Sequence, residues 1–235
     1  MSLTYEDLPG LMTQMTGDEK HTPSATSTLD VLWVLYDKVL RITPERADDP
    51  ARDRFLLSKG HGPAAYYAVL AAKGFVPLSW LPEFGGIDSR LGYHPDRNLI
   101  PGVEISSGSL GHGLPLAVGL AHGLLAREPV THWQAAGGAL PRVFVLVGDA
   151  ELDEGSNNEA IVYAGAVRLP NLTVVAVDNQ SASHGWGAGG IESHFKVSGW
   201  SAVRVDGRDH TALLTALTAM PERPHLVVAT VEGKQ

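Results

Sequence analysis

The stretch that decides the fold runs from Val143 to Gln180: VFVLVGDAELDEGSNNEAIVYAGAVRLPNLTVVAVDNQ. Its first apolar run stops at Gly148, Asp149 and Ala150, and Glu151, Asp153 and Glu154 crowd in behind. "NNEAIVYAGAVRL" then reads as a helix and "LTVVAVDN" as a second Val-rich strand. Strand, helix and return strand in about thirty residues make one βαβ unit. Continuous apolar strands in such a unit imply a parallel sheet buried on both faces. Asp149 and Asn179 then fall at the same end of neighbouring strands, where open α/β sheets bind ligands. A carboxylate, an amide oxygen and nearby carbonyls are hard oxygen ligands, suited to Mg²⁺ or Ca²⁺ rather than zinc. The helix after Gly155 adds free N–H groups nearby. Taken singly, Gly148-Asp149 reads as a turn and Asn179 as a strand-end cap. Their joint spacing favours the cation.

Working outward, the same alternation continues. "SAVRVDG" and "HLVVATVEG" read as strands and "DHTALLTALTAM" as a helix between them. Upstream, "LDVLWVLYDKVL" places Val31, Leu35 and Val39 four apart on one face of a buried helix. "TPERADDPARDR" reads as a charged loop and "GPAAYYAVLAAKG" as a helix with Gly at both ends. Residues 74–102 form a Gly-, Pro- and aromatic-rich structured excursion. "SLGHGLPLAVGLAHGLLARE" is a long helix, apolar nearly all round, hence buried or at an interface. Residues 129–141 read as a loose connection, and residues 1–20 as a polar, irregular segment preceding one domain over 21–235. The expected class is α/β: a mostly parallel sheet flanked by helices.

Bulk properties narrow the function. With 44% hydrophobic and 19% charged residues in 235, the chain can bury a sizeable core. A net charge of -8 argues against a phosphate-backbone-binding face, so no nucleic-acid partner is expected. The absence of cysteine excludes disulfides and thiolate metal sites. "MSLTYEDLPG" lacks the pattern of a signal peptide, and no apolar run is long enough to span a bilayer. A cytoplasmic enzyme without a membrane partner is the expectation.

Four segments together resemble a known family. The quoted stretch is similar to the thiamine diphosphate motif, Gly-Asp-Gly followed some thirty residues later by Asn. Glu154-Gly155 and Glu159-Ala160 make the match transketolase-like. "RDRFLLSKGHG" resembles that family's Ser-x-Gly-His segment, "SSGSLGHGLPLAVGLA" its Gly-rich helix start, and "KHTPSATSTLDVLWVLY" its Gly-His-Pro opening. The likeness spans about residues 20 to 232.

The resemblance implies specific roles. Asp149, Asn179 and the Ser181 carbonyl would bind Mg²⁺ (or Ca²⁺), which clamps the diphosphate of thiamine diphosphate. Gly148 and Ala150 would lie at that diphosphate, with His61 on its side. Gly108 and Leu110 would approach the cofactor rings, and Ser183 matches a further cofactor contact. His21 and His94 match substrate-touching histidines, so His21, His61 and His94 are the catalytic candidates. Neutral-range histidines suit proton transfer on sugar hydroxyls, and the cofactor supplies the carbanion chemistry. Glu154 matches an acid in a carboxylate network between two active sites. His122, His132, His194, His210 and His225 carry no motif and read as structural.

The resemblance is to the N-terminal subunit of two-subunit transketolases. It implies a separate C-terminal subunit carrying the pyrimidine-binding domain, an α₂β₂ assembly, and ketose and aldose substrates. Ala150 replaces the motif's third Gly, His112 a Gln, and His184 an acid; "TVEGKQ" precedes a region where the family carries another histidine. Three rival readings remain. The chain could deliver a two-carbon glycolyl unit to a lipoyl or acyl-carrier domain, or be a scaffold that has lost the cofactor. "GWGAGG", Gly185 to Gly190, fits G-x-G-x-x-G with Asp206 beyond. That loop starts several residues after its strand, and no amphipathic helix is expected from its third glycine.

Overall fold

The computed structural model describes residues 3–16, 25–127 and 140–233. Five strands form one all-parallel sheet: β1 (Arg54–Leu57), β2 (Val143–Gly148), β3 (Leu172–Asp178), β4 (Ser201–Asp206) and β5 (His225–Thr230), in spatial order β1-β2-β3-β5-β4. Among the described residues the α-helices are α1 (Leu8–Gln14), α2 (Leu29–Val34), α3 (Ala64–Ala72), α4 (Gly113–Arg127), α5 (Gly155–Ala166), α6 (Gly190–Lys196) and α7 (His210–Thr218).

Alternation along the strands splits the core in two. Phe144, Leu146, Val175, Val177, Val227 and Ala229 join one cluster with residues of α1, α2, α3 and α7. Val143, Val145, Val147, Val174, Ala176 and Val228 join the other with residues of α4, α5 and α6. The inner strands β2 and β3 are therefore apolar at nearly every position, whereas β4, at the sheet edge, is only partly buried. This is the expected α/β class.

The structure corrects several local expectations. The N-terminal segment is not irregular: Leu8, Leu11 and Met15, spaced three and four apart, bury one face of α1 and its C-cap in the first cluster. The helix expected over 29–40 is α-helical only to Val34 and then takes a π turn over Leu35–Val39, closed by Leu40 N–H donating to the Leu35 carbonyl at 2.8 Å. The charged loop ends in a strand, since β1 begins at Arg54. A helix does open from Gly190, burying Ile191 and Phe195 four apart. The connection expected over 129–141 lies largely outside the described residues.

Candidate functional site

β2 and β3 pair in register, Gly148 opposite Val177, so Asp149 and Asn179 emerge at one carboxyl-end rim. Both side chains are almost fully buried, at 1% and 2% exposure. Asp149 Oδ2 accepts the Ser181 N–H at 2.6 Å and the Ala182 N–H at 3.2 Å, and Oδ1 accepts the Ser181 hydroxyl at 2.6 Å. Those bonds fold the 179–182 turn back over the end of β2. An ionised carboxylate has about four acceptor positions, so roughly one is left on Asp149. Asn179 Oδ1 is buried without a hydrogen-bond partner. An orphaned buried amide oxygen costs free energy unless something polar reaches it. A cation bound by these two oxygens would satisfy both, so the donor set fits Mg²⁺. Among the described residues there is no group of three or more His, Asp or Glu with metal-binding geometry. One or two carboxylates or amides with phosphate and water is, however, the usual protein share of a Mg²⁺ site.

Close backbone approaches bring the other motifs to this rim. A Cβ on Gly60 would sit 2.8 Å from Gly108 N, so the segment carrying His61 packs against the one carrying Gly108 and Leu110. Gly108 has φ 129, and a Cβ there would meet the His94 ring at 3.0 Å. Ser107 N–H donates to the Pro95 carbonyl at 3.1 Å, fixing His94 beside Gly108. Gly148 faces the Lys59 stem. His61 is half-buried, and His94, Gly108 and Leu110 are exposed. Ala150 opens a short 3-10 turn over Ala150–Asp153, where N–H groups lack intrahelical partners. It is not among the positive-φ residues, so its methyl costs no backbone strain. Ser183 and His184 are exposed on the 179–189 loop, and His112 is exposed just before α4. Nothing in their contacts ties Ser183 to the rim. His21 lies outside the described residues.

The sequence pattern points Asp149 to a metal and Glu154 to a partner, and it carries no sign of what Glu151 does. This carboxyl is buried beside Ser58, Gly111 and Gly148. Burial pushes it above the usual carboxylate range, against the lowering effect of those three donors and of Lys59. Ser107 Oγ, buried without a partner, is a second omission. No periodicity marks either one, since the burial comes from segments distant in the chain. Glu154, by contrast, is exposed beside Gly111. Among the histidines read as structural, His122 meets the Tyr163 hydroxyl at 2.7 Å and His210 the Asp30 carboxylate at 2.8 Å.

The rim and sheet define an open, parallel α/β ligand-binding fold, and comparison with known proteins narrows it. The profile of the family described as "Transketolase, thiamine diphosphate binding domain" matches residues 14–234. The chain belongs to that family. It is 53% identical over 229 residues to the Rhodococcoides fascians protein named Ferredoxin fas2, covering 97% of this chain and 72% of that one. It is 35% identical over 221 residues to a subunit of the apulose-4-phosphate transketolase of Actinobacillus succinogenes, covering 91% and 76%. The solved transketolase of Leishmania mexicana superposes with a TM-score of 0.77 at 25% identity, over 98% of this chain and 37% of that one. The chain thus corresponds to about a third of a single-chain transketolase.

The dinucleotide alternative loses one of its objections, because α6 does open at Gly190. Its other objection stands: residues 179–189 separate α6 from the end of β3, and the 179–182 part is bound to Asp149.

Proposed function

We propose that this chain is the N-terminal subunit of a cytoplasmic, split transketolase-like transferase. It holds Mg²⁺ and the diphosphate of thiamine diphosphate and moves a two-carbon ketol unit between sugar-type substrates. The observation that carries this reading is the buried, partnerless Asn179 Oδ1 beside Asp149 at the rim, in a chain of this family.

Asp149, Asn179 and the Ser181 carbonyl are the proposed metal ligands. Gly148, Ala150, Gly108, Leu110, Ser183 and His61 are the proposed cofactor contacts. The bound cofactor supplies the carbanion chemistry. His61 and His94 flank the opening, where an imidazole can take or return a hydroxyl proton. His21 is assigned the same role on the motif alone.

A partner chain carrying the pyrimidine-binding domain, in an α₂β₂ assembly, is part of the proposal. Relatives from Actinobacillus succinogenes and Phocaeicola vulgatus, each named as one subunit of an apulose-4-phosphate transketolase, support it. A Clostridium relative named as subunit SqwG of a 6-deoxy-6-sulfo-D-fructose transketolase does the same. So do exposed apolar side chains on α4 and on and after α5, with Leu116 of α4 51% and Val162 of α5 59% exposed and Tyr163 and Val167 also exposed. Mixing the chain with a candidate C-terminal subunit, Mg²⁺ and thiamine diphosphate should yield ketol transfer that neither chain shows alone. Full activity of this chain by itself refutes the split arrangement. Calorimetry showing no cofactor binding to the assembly refutes the catalytic reading and favours the scaffold.

A further inference from the structure

We propose that Glu151 is a positioning residue of the cofactor site, its buried carboxylate fixing the segments that carry Ser58, Gly111 and Gly148 in one geometry. The inference rests on the thiamine diphosphate reading and adds a residue that no motif role covers. Glu151 Oε1 accepts the Gly111 N–H at 2.9 Å and the Ser58 hydroxyl, while Oε2 accepts the Gly148 N–H at 3.2 Å. Ser58 Oγ in turn accepts the Gly113 N–H at 2.9 Å. The backbone of Glu151 is held from the other side, its carbonyl accepting Asn157 Nδ2–H at 2.6 Å.

Each partner adjoins a proposed site residue. Gly148 precedes Asp149, Gly111 follows Leu110, and Ser58 opens the run Ser58-Lys59-Gly60-His61. One side chain therefore spans the metal ligand, the segment facing the cofactor rings and the histidine segment. The glycines on these segments leave no room for slack. A Cβ on Gly113 would lie 2.2 Å from Ser58 Cβ, and one on Gly111 2.7 Å from Glu154 Cβ.

A carboxylate at 1% exposure is an expensive way to join loops. A carboxyl group presents an acceptor oxygen on each side, whereas an amide presents N–H on one side. Glu151→Gln keeps the shape but sets an NH₂ against at least one of the three donors. The loops then populate arrangements that cannot bind, and apparent affinity falls with the competent fraction.

The test uses the chain assembled with its partner subunit, with cofactor affinity measured by calorimetry with thiamine diphosphate and Mg²⁺. Wild type binds. Glu151→Gln raises the cofactor Kd about tenfold or more, a ratio equivalent to ~1.4 kcal/mol. At saturating cofactor its kcat stays within about threefold of wild type, because the residue touches no reacting atom. A merely structural role lowers the melting temperature and leaves Kd per folded assembly unchanged; that result overturns the proposal. If Glu151→Gln does not fold, Ser58→Ala takes its place: a Kd raised about threefold or more supports the proposal, and an unchanged Kd overturns it. Wild type failing to bind overturns the cofactor reading and this inference together; wild type and variant binding alike overturns the inference alone.

Discussion

Replacing Asn179 by Leu should stabilise the cofactor-free chain while abolishing its response to cofactor. Asn179 is 2% exposed and its Oδ1 has no partner, so the folded chain bears a desolvation cost there. A buried orphan acceptor costs about 1–3 kcal/mol. Leu has the same branched skeleton, so its methyls fall where Oδ1 and Nδ2 now lie. Some of the gain is lost to the larger methyls, leaving ~1 kcal/mol net. For a chain of this size that raises Tm by about 2–4 °C. The loaded arm moves the other way. Cofactor at about 100 times Kd contributes ~2.7 kcal/mol, a shift of roughly 5–11 °C in wild type. The variant has no metal-binding oxygen at this position and should show almost none. Scanning calorimetry gives both arms, cofactor-free on the chain and loaded on the assembly with Mg²⁺ and thiamine diphosphate. A cofactor-free variant melting lower than wild type, with the cofactor shift intact, refutes the reasoning. It would mean that Asn179 is an ordinary structural amide.

Gly165→Ala should destabilise the chain without touching the rim. A Cβ there lies 1.7 Å from the Ser198 carbonyl oxygen and 3.3 Å from Trp200 Cδ1, so α5 must move off the turn that follows α6. We expect about 3 kcal/mol, or roughly 6–12 °C in Tm, and a differential scan showing less than about 1 °C contradicts this packing. His225, buried in β5 with Nδ1 on the Ser201 hydroxyl at 2.8 Å, has its pKa lowered by burial, with Arg142 adding to the effect. The folded chain therefore binds fewer protons than the unfolded chain just below the ordinary His value of about 6.5. Stability holds above that value and is lost as pH falls from it through the depressed folded pKa. Denaturation in urea at stepped pH should show a slope of up to ~1.4 kcal/mol per pH unit that His225→Gln removes. An unchanged slope in the variant assigns the dependence elsewhere.

The elements legible in the sequence are those whose surroundings repeat along the chain. β2 and β3 lie inside the sheet, so both faces demand apolar side chains and the strands read as unbroken runs. β1 has only the four residues Arg54–Leu57, and its first residue is an arginine, which leaves too short a run to register. α6 buries only Ile191 and Phe195, and the two glycines before them resemble a loop. α1 and its C-cap bury Leu8, Leu11 and Met15 in a run broken by Pro9, Gly10, Thr13 and Gln14. In each case one or two tertiary contacts outweigh a weak local pattern.

The site divides along the same line. Asp149 and Asn179 were legible because a βαβ unit of fixed length brings matching strand ends together, so spacing alone places them. Glu151 was not, because its burial depends on donors at Ser58 and Gly111, which reach it from other parts of the chain. An acid two residues from a metal-ligand candidate, in a run of acids, looks solvated until those donors are in view. The acids of the opening stretch thus differ by environment rather than by sequence. Asp149 keeps about one acceptor position for a cation. Glu151 turns its carboxyl inward on the Gly111 and Gly148 amides, and Glu154 stays at the surface beside Gly111. That division is why Glu151→Gln and Asn179→Leu should separate: the first disturbs how the loops are held, the second what they hold.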